Sequence, residues 1–262
     1  MTYDHVNRST YERKRLVELY TAMPLLLPEV MIFVKYRDAY YGKRILDVGC
    51  GAGRTAEYLR HWAGEYQCVD YSEQMTKVLK RRFGDVDCRC CDVRDMAQFA
   101  DGSYDFVLFA NNGLDSLEHE DRMLGFREIN RVLADGGVFV FSTHNRNCDH
   151  ARQEPRFEFS LDPFAFARAV VRHHRRSIGR RRNREFEREG KDYAIINDSS
   201  HAFSLVTYYI DQRKQVEQLR DVGFETLEIY DLAGNSIGRE DIDHASGWLY
   251  YVARRTGSPE MG

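Results

Sequence analysis

The sequence predicts an α/β protein whose doubly wound, mostly parallel, seven-stranded sheet carries helices on both faces. Two observations predict it: from residue 44 onward short apolar runs alternate with helical periods, and a glycine-rich turn follows the first run. We expect four segments: an N-terminal helical flap (1–43), a first part of the core (44–144), an inserted, partly helical, arginine-rich segment (145–202) and a second part of the core (203–262).

The individual elements follow from periodicity and from capping residues. In the flap a helix is predicted over 9–22, with Ser9 or Thr10 as its cap. Glycines at 136 and 223 are expected to end two of the core helices. Strands are predicted at 44–48, 66–70, 86–91, 104–110, 138–143, 203–210, 224–230 and 248–254, and core helices at 53–63, 72–83, 121–133 and 211–222.

Composition places the chain among ordinary globular proteins, since 43% of its 262 residues are hydrophobic and only 5 are proline. The longest apolar stretch, 22–34, is interrupted by Pro24, Pro28 and Glu29, so we expect no membrane span and no membrane partner. The polar N-terminus lacks an apolar signal region, which predicts a cytoplasmic location. The 6 cysteines are expected to be reduced, and the cluster at 88–91 to be buried without metal.

Charge is distributed unevenly along the chain. The overall net charge is −3, but 163–184 contains eight arginines and no acidic residue. One interpretation is a solvated amphipathic helix with a buried side formed by Phe164, Phe166, Ala169, Val170 and Val171. The other is a basic surface that attracts an anionic partner.

The segment ILDVGCGAGRTAEYL at 45–59 is typical of a strand, a glycine-rich turn and a helix, which lets the backbone approach a ligand closely. It does not fit the nicotinamide-binding pattern GxGxxG, because the sixth position from Gly49 is Arg54, and it lacks the GK[ST] of a phosphate-binding P-loop. Asp70 ends the second strand 17 residues after Gly53, where a carboxylate can accept both ribose hydroxyls of a nucleoside.

The pattern LDVGCGAG, followed in order by Asp70 and by Cys91-Asp92-Val93, resembles that of the class I S-adenosylmethionine-dependent methyltransferases. The resemblance covers 44–143 closely and 203–254 in topology. It implies a Rossmann-like fold and S-adenosylmethionine as the cofactor, with S-adenosylhomocysteine as the product.

The resemblance also implies roles for single residues. Asp47 would orient the turn and the cofactor's amino group, Asp70 would bind the ribose, and Asp92 would receive the adenine amino group beside Val93. Taken singly, the turn is also compatible with a plain strand–helix connection, and Asp70 or Asp92 with a helix cap. The predicted cofactor-binding residues are Asp47, Gly49, Gly51, Gly53, Asp70, Tyr71, Asp92, Val93, Ala110 and Asn111.

Methyl transfer is an in-line displacement, and a hydroxyl acceptor must also lose its proton. His144 directly follows a predicted strand and is our candidate general base, because imidazole titrates near neutrality. A helix-capping or purely supporting histidine is the alternative, and His201 and His244 are weaker candidates. The predicted acceptor-binding residues are Tyr11, Asn112, Asp115, Asn145 and Tyr208.

The fourth strand is followed by Asn111-Asn112-Gly113, which does not fit the [DNS]PP[YFW] motif of the adenine-N6 methyltransferases, so DNA is not an expected substrate. Our leading hypothesis is methyl transfer to a hydroxyl or amine of a small molecule, and no metal-ligating residues are predicted. The acceptor could be a sugar or a phosphorylated metabolite, and it could be anionic. Two alternatives stay open: an RNA methyltransferase that grips phosphates with 168–184, and a non-catalytic cofactor-binding scaffold.

Overall fold

A computed structural model describes residues 3–148, 152 and 154–257. Its helices are α1 (Asp4–Tyr11), α2 (Lys14–Ala22), α3 (Leu27–Lys35), α4 (Arg37–Tyr40), α5 (Ala56–Leu59), α6 (Glu73–Arg82), α7 (His119–Val132), α8 (Pro163–Asn183) and α9 (Gln212–Asp221). Its strands are β1 (Arg44–Val48), β2 (Glu65–Asp70), β3 (Asp87–Cys90), β4 (Tyr104–Phe109), β5 (Leu133–Asn145), β6 (Arg188–Glu189), β7 (Tyr193–Ile196), β8 (Thr207–Ile210), β9 (Phe224–Tyr230), β10 (Ser236–Ile237) and β11 (Trp248–Arg255).

The main path of the sheet runs in the order β10-β9-β11-β5-β4-β1-β2-β3. The pairs from β3 to β5 are parallel, whereas β11 runs antiparallel to both β5 and β9. A mixed α/β fold with a mostly parallel sheet is therefore confirmed. The carboxyl ends of β1, β2 and β4 meet at one edge, which is where open α/β sheets bind ligands.

Helices cover both faces of this sheet, and the central strands are apolar on both sides. In β4, Val107 and Phe109 join the core under α7 and α9, while Phe106 and Leu108 face α3 and α4. Successive strand residues point to opposite faces, so a strand covered on both sides must be apolar throughout. This explains why β4 forms an unbroken apolar run after Asp105.

Several element boundaries differ from the prediction. The helix predicted over 9–22 is two helices, α1 and α2, and Thr10 is no cap because its hydroxyl donates to the Ser204 carbonyl at 3.2 Å. The helix predicted over 53–63 is reduced to α5, and the helix predicted over 121–133 ends at Val132, where β5 begins.

The segment after β5 contains more strand than its sequence suggests. The strand predicted over 203–210 begins only at Thr207, and as β8 it pairs with the far end of β5 beyond β4. A short apolar run, β7, pairs with β8, and β6 pairs with β7. The ladder thus extends past the edge of the main sheet and forms a wall beside the carboxyl ends of its strands.

Within the described ranges, no single helix is long and apolar enough to cross a membrane. Leu16–Ala22 and Leu27–Lys35 reach that length and composition only together, as a pair bent by 48°.

A buried ion pair connects α3 to the glycine-rich turn. Arg54 donates to both oxygens of Glu29, at 2.5 and 2.6 Å, and Tyr250 donates to the same carboxylate at 3.0 Å. Only 8% of Arg54 and 1% of Glu29 are exposed. Arg54, which rules out the nicotinamide pattern in the sequence, therefore holds the turn against the flap.

Replacing Arg54 with methionine should lower the free energy of unfolding by about 3 kcal/mol, because Glu29 would remain buried without its cation. Urea denaturation measures the change. Arg44→Met is the matched control, since Arg44 pairs with Asp105 at a half-exposed position and should cost about 1 kcal/mol or less. Equal losses in the two variants would contradict a stabilising role for the buried pair.

Candidate active site

The turn after β1 is shaped by glycines. Gly49 has a φ of +61°, and a side chain there would place its Cβ 2.3 Å from the ring of Phe109. Gly51, with a φ of +55°, lines a cavity, and its missing Cβ would meet no atom within 4 Å. The turn therefore offers backbone rather than side chains to whatever the cavity holds.

Asp70 lies at the end of β2 opposite this turn. Its carboxylate accepts hydrogen bonds from the backbone N–H of Gly51 at 2.9 Å and of Ser72 at 2.8 Å. Burial raises the pKa of Asp70 to about 6 despite these bonds. Since an ionised carboxylate has about four acceptor positions, further positions remain for hydroxyl donors in the cavity.

Asp47 is the second buried carboxylate at the same edge. One of its oxygens accepts from the hydroxyl of Thr55 at 2.5 Å and from that of Tyr66 at 2.7 Å. Burial raises its pKa to about 6 as well. The other oxygen is left for a donor in the cavity.

Asp92, after β3, is held by a cation. Arg94 donates to both of its oxygens, at 3.0 and 2.7 Å, and also contacts Asp4 and Asp121. Although burial raises it, the hydrogen bonds from Arg94 hold the pKa of Asp92 below its usual value. Arg94 thus ties the third carboxylate to α1 and α7.

These groups surround a cavity of about 360 Å³. All of the predicted cofactor-binding residues except Gly53 line it, namely Asp47, Gly49, Gly51, Asp70, Tyr71, Asp92, Val93, Ala110 and Asn111. The buried hydroxyl of Tyr71 has no hydrogen-bond partner among the described residues. Backbone N–H groups, two carboxylates and an unpaired hydroxyl are a donor and acceptor set that fits a nucleoside.

Gly53 does not line this cavity. A Cβ at this position would lie 2.7 Å from the ring of Phe83 and 3.1 Å from Leu79, so the glycine is needed for packing against α6. Gly53 was predicted to bind the cofactor, but in the structure it packs against α6 instead.

A second cavity of about 220 Å³ shares part of its wall with the first. His144, at the end of β5, lines it, and Nδ1 of this imidazole lies 2.7 Å from the Asp115 carboxylate. This contact assigns a proton to Nδ1, so in the neutral imidazole Nε2 carries the lone pair. The amide of Asn112 lies 3.5 Å from Nε2.

Asp115 is itself fixed from several sides. Arg122 donates to it at 2.5 Å, the Thr143 hydroxyl at 2.7 Å and the backbone N–H of His144 at 2.7 Å. Arg122 is fully buried and also donates to Gln215 on α9. The orientation of His144 therefore depends on a network that joins β5, α7 and α9.

Two predicted acceptor-binding residues lie elsewhere. Asn145 donates to the carbonyls of Asp243 and Ser246, at 2.6 and 3.1 Å, and thereby holds the loop before β11. Tyr208 is buried in a stack with His119 and Tyr193. Neither residue lines either cavity, and the prediction was wrong because both side chains point into protein.

Tyr11, Asn112 and Asp115 do line the second cavity, as does His201, one of the weaker candidates. His201 lies 3.0 Å from the hydroxyl of Tyr20 and has a φ of +49°. Sequence reasoning missed the other residues of this wall, most of them apolar or aromatic: Asn7, Leu19, Tyr20, Met23, Ser116, Ser200, Leu205, Val206, Thr207 and Trp248.

The arginine-rich segment forms α8, which lines neither cavity. Arg172 pairs with Glu158 at 2.7 Å, and Arg180 pairs with Glu154 and Glu187. The predicted buried side is wrong except for Ala169, since Phe164 is 79% and Val171 58% exposed.

The mostly parallel sheet, the glycine turn after β1 and the buried carboxylate at the end of β2 are features that this chain shares with the class I S-adenosylmethionine-dependent methyltransferases. Residues 46–141 match a family model described as a methyltransferase domain. This class uses S-adenosylmethionine as its cofactor, as the sequence motifs predict, and the first cavity is its candidate site.

Curated relatives agree with the class. A ubiquinone biosynthesis O-methyltransferase from Idiomarina loihiensis is 32% identical over 117 residues, which cover 43% of this chain and 46% of the relative. The corresponding enzyme from Xanthomonas campestris pv. campestris is 31% identical over 151 residues, covering 56% and 55%. The chain thus spans about half the length of the curated relatives it matches.

Solved structures share the fold. The 1,6-didemethyltoxoflavin-N1-methyltransferase of Burkholderia thailandensis, with bound 1,6-didemethyltoxoflavin and S-adenosylhomocysteine, gives a TM-score of 0.61 at 17% identity, covering 97% of this chain and 89% of that one. A S-adenosylmethionine-dependent methyltransferase from Mesorhizobium loti gives 0.58 at 20% identity, covering 86% and 98%.

The raised pKa of Asp70 predicts that cofactor binding weakens in acid. At pH 5 about one in ten of these carboxylates is ionised, so the Kd for S-adenosylmethionine should rise about tenfold relative to pH 8. Calorimetric titration at the two pH values tests this. Asp70→Asn should remove most of the pH dependence. An affinity that is constant between pH 5 and 8 would contradict the prediction.

Proposed function

We propose that the protein transfers a methyl group from S-adenosylmethionine to a hydroxyl of a small, uncharged aromatic molecule bound in the second cavity. The observation that carries the proposal is the pair formed by His144 and Asp115, which presents an imidazole lone pair in a cavity adjoining the cofactor site. When bound, the cofactor supplies an electrophilic sulfonium methyl group to an acceptor aligned with it.

His144 acts as the general base in this proposal. Asp115 fixes the imidazole by accepting from Nδ1 and stabilises the positive charge that develops when Nε2 takes the acceptor's proton. Arg122 and Thr143 hold the carboxylate in place. A base of this kind is needed for a hydroxyl more than for an amine, which favours O-methylation.

The wall of the cavity supports an apolar, uncharged acceptor. Its apolar and aromatic surface comes from residues such as Tyr11, Tyr20, Val206 and Trp248. Among its described lining residues there is no lysine or arginine to neutralise a phosphate, which argues against the phosphorylated acceptor that we considered from sequence. The curated relatives are named as O-methyltransferases, in agreement with this choice of chemistry.

The RNA alternative is not favoured, because no residue of α8 lines either cavity and several of its arginines already pair with glutamates. The scaffold alternative is not favoured either, since it gives no reason for a histidine–aspartate pair in a cavity that adjoins the candidate cofactor site.

The test is to incubate the purified protein with S-adenosylmethionine and one acceptor at a time: phenol, catechol, a sugar phosphate and an RNA oligonucleotide. S-adenosylhomocysteine release and product mass are measured. We expect methylation of a phenolic hydroxyl only. Turnover of the sugar phosphate or the RNA alone would overturn the proposed acceptor class. Binding of the cofactor without turnover of any acceptor would support the non-catalytic scaffold instead.

A further inference from the structure

Three cysteines from different segments converge beneath the glycine-rich turn. Cys50 belongs to the turn, Cys68 to β2 and Cys88 to β3. Cys68 and Cys88 are register partners on adjacent parallel strands, so their side chains share one face of the sheet. The three Sγ atoms all lie within 4.8 Å of one another, and all three residues are buried.

The surroundings of this sulfur cluster (Cys50, Cys68 and Cys88) are apolar. The cluster packs with Ala56 and Leu79, and with the partly buried Tyr66, Phe83 and Val86. Sulfur is therefore the ligand type that this place offers, which favours soft metal ions over Mg²⁺ or Ca²⁺.

We propose that Cys50, Cys68 and Cys88 form a binding site for a divalent, thiophilic metal ion of the zinc type. Metal–sulfur bonds of about 2.3 Å in tetrahedral geometry place sulfurs roughly 3.8 Å apart, so the observed separations require shifts of less than about 1 Å. Each thiol gives up its proton on binding. A divalent ion then leaves one net negative charge buried, whereas a monovalent ion such as Cu⁺ would leave two.

Access to the sulfur cluster runs through the first cavity, the candidate cofactor site, which we call the cofactor cavity. Cys50 lines that cavity, whereas Cys68 and Cys88 lie behind it and do not. The ion would enter past Cys50, and bound cofactor would obstruct its path. Coordination would in turn immobilise Cys50. The next residue, Gly51, is the one whose backbone N–H donates to the Asp70 carboxylate.

The experiment uses the full chain, kept reduced, in a background with Cys90→Ser and Cys91→Ser, because Cys90 is exposed, Cys91 is half-buried and both would bind the probe. Cd²⁺ is titrated while the sulfur-to-cadmium charge-transfer absorption is followed. We expect one Cd²⁺ per chain, with affinity reduced at least about tenfold by Cys68→Ala or by Cys88→Ala. Cys148→Ala is the matched control, since Cys148 is also buried but lies outside the sulfur cluster, and it should change nothing.

X-ray absorption on the cadmium-loaded parent protein counts sulfur ligands without relying on a core variant. Three sulfurs would support the site. Two or fewer, no binding at equimolar Cd²⁺, or undiminished binding in both core variants would overturn it. Saturation with S-adenosylhomocysteine beforehand should slow cadmium uptake, and uptake at an unchanged rate would overturn the access route. None of these readouts depends on methyl transfer.

Discussion

Replacing His144 with alanine is expected to lower kcat by about 100-fold or more while the affinity for S-adenosylmethionine stays nearly unchanged. In the proposed reaction Nε2 takes the acceptor's proton, a contribution that only the transition state uses. Steady-state kinetics on the phenolic acceptor, combined with calorimetric titration of the cofactor, separates the two quantities.

Two histidine variants make this result specific. His244→Ala should leave kcat unchanged, because His244 contacts the carbonyl of Asn147 and lines neither cavity. His201→Ala should raise KM more than it lowers kcat, because His201 forms part of the acceptor wall. Wild-type turnover in His144→Ala would show that the reaction needs no base at this position.

Asp70→Ala is expected to weaken S-adenosylmethionine binding by about 10- to 100-fold, the cost of hydrogen bonds to a charged group. The variant removes the carboxylate that we expect to accept from the ribose, and it leaves the N–H groups of Gly51 and Ser72 without their partner. Calorimetry with S-adenosylmethionine and S-adenosylhomocysteine measures the loss, and NAD serves as a ligand that should not bind.

Asp105→Ala is the matched control for this variant, because Asp105 pairs with Arg44 at the opposite end of the parallel strands. Its cofactor affinity should equal that of the wild type. Unchanged affinity in Asp70→Ala would remove this carboxylate from the cofactor site.

The cofactor cavity was largely predictable from sequence because its residues belong to local signals. A glycine turn and an acid at the end of the next strand are set by one strand–helix–strand unit, so their spacing along the chain fixes their spacing in space. Gly53 is the exception. The sequence pattern indicates that a glycine is required there, but only the structure shows that the reason is its positive φ and its packing against the ring of Phe83.

The second cavity, in which we propose that the acceptor binds, was predictable only in part, because its walls come from distant segments such as α1, β8 and β11. His144 and Asn145 are consecutive strand residues and so point to opposite faces, which means that both could not face one acceptor. The same rule separates Thr207, which lines the cavity, from Tyr208. Since all of β8 is buried, no polar alternation in its sequence reveals which residues face the cavity.

The shared wall of the two cavities has a thermodynamic consequence. Asn7, Tyr11, Tyr20, Asn111 and Ser116 each line both spaces, so a ligand that orders them in one cavity orders them for the other. The two binding steps then form a thermodynamic cycle. If S-adenosylhomocysteine changes the affinity for the acceptor by some factor, the acceptor changes the affinity for S-adenosylhomocysteine by the same factor. Three of these five side chains, Asn7, Tyr11 and Tyr20, belong to the flap, so the flap contributes to this mutual dependence although it lies outside the segments that carry the cofactor motif.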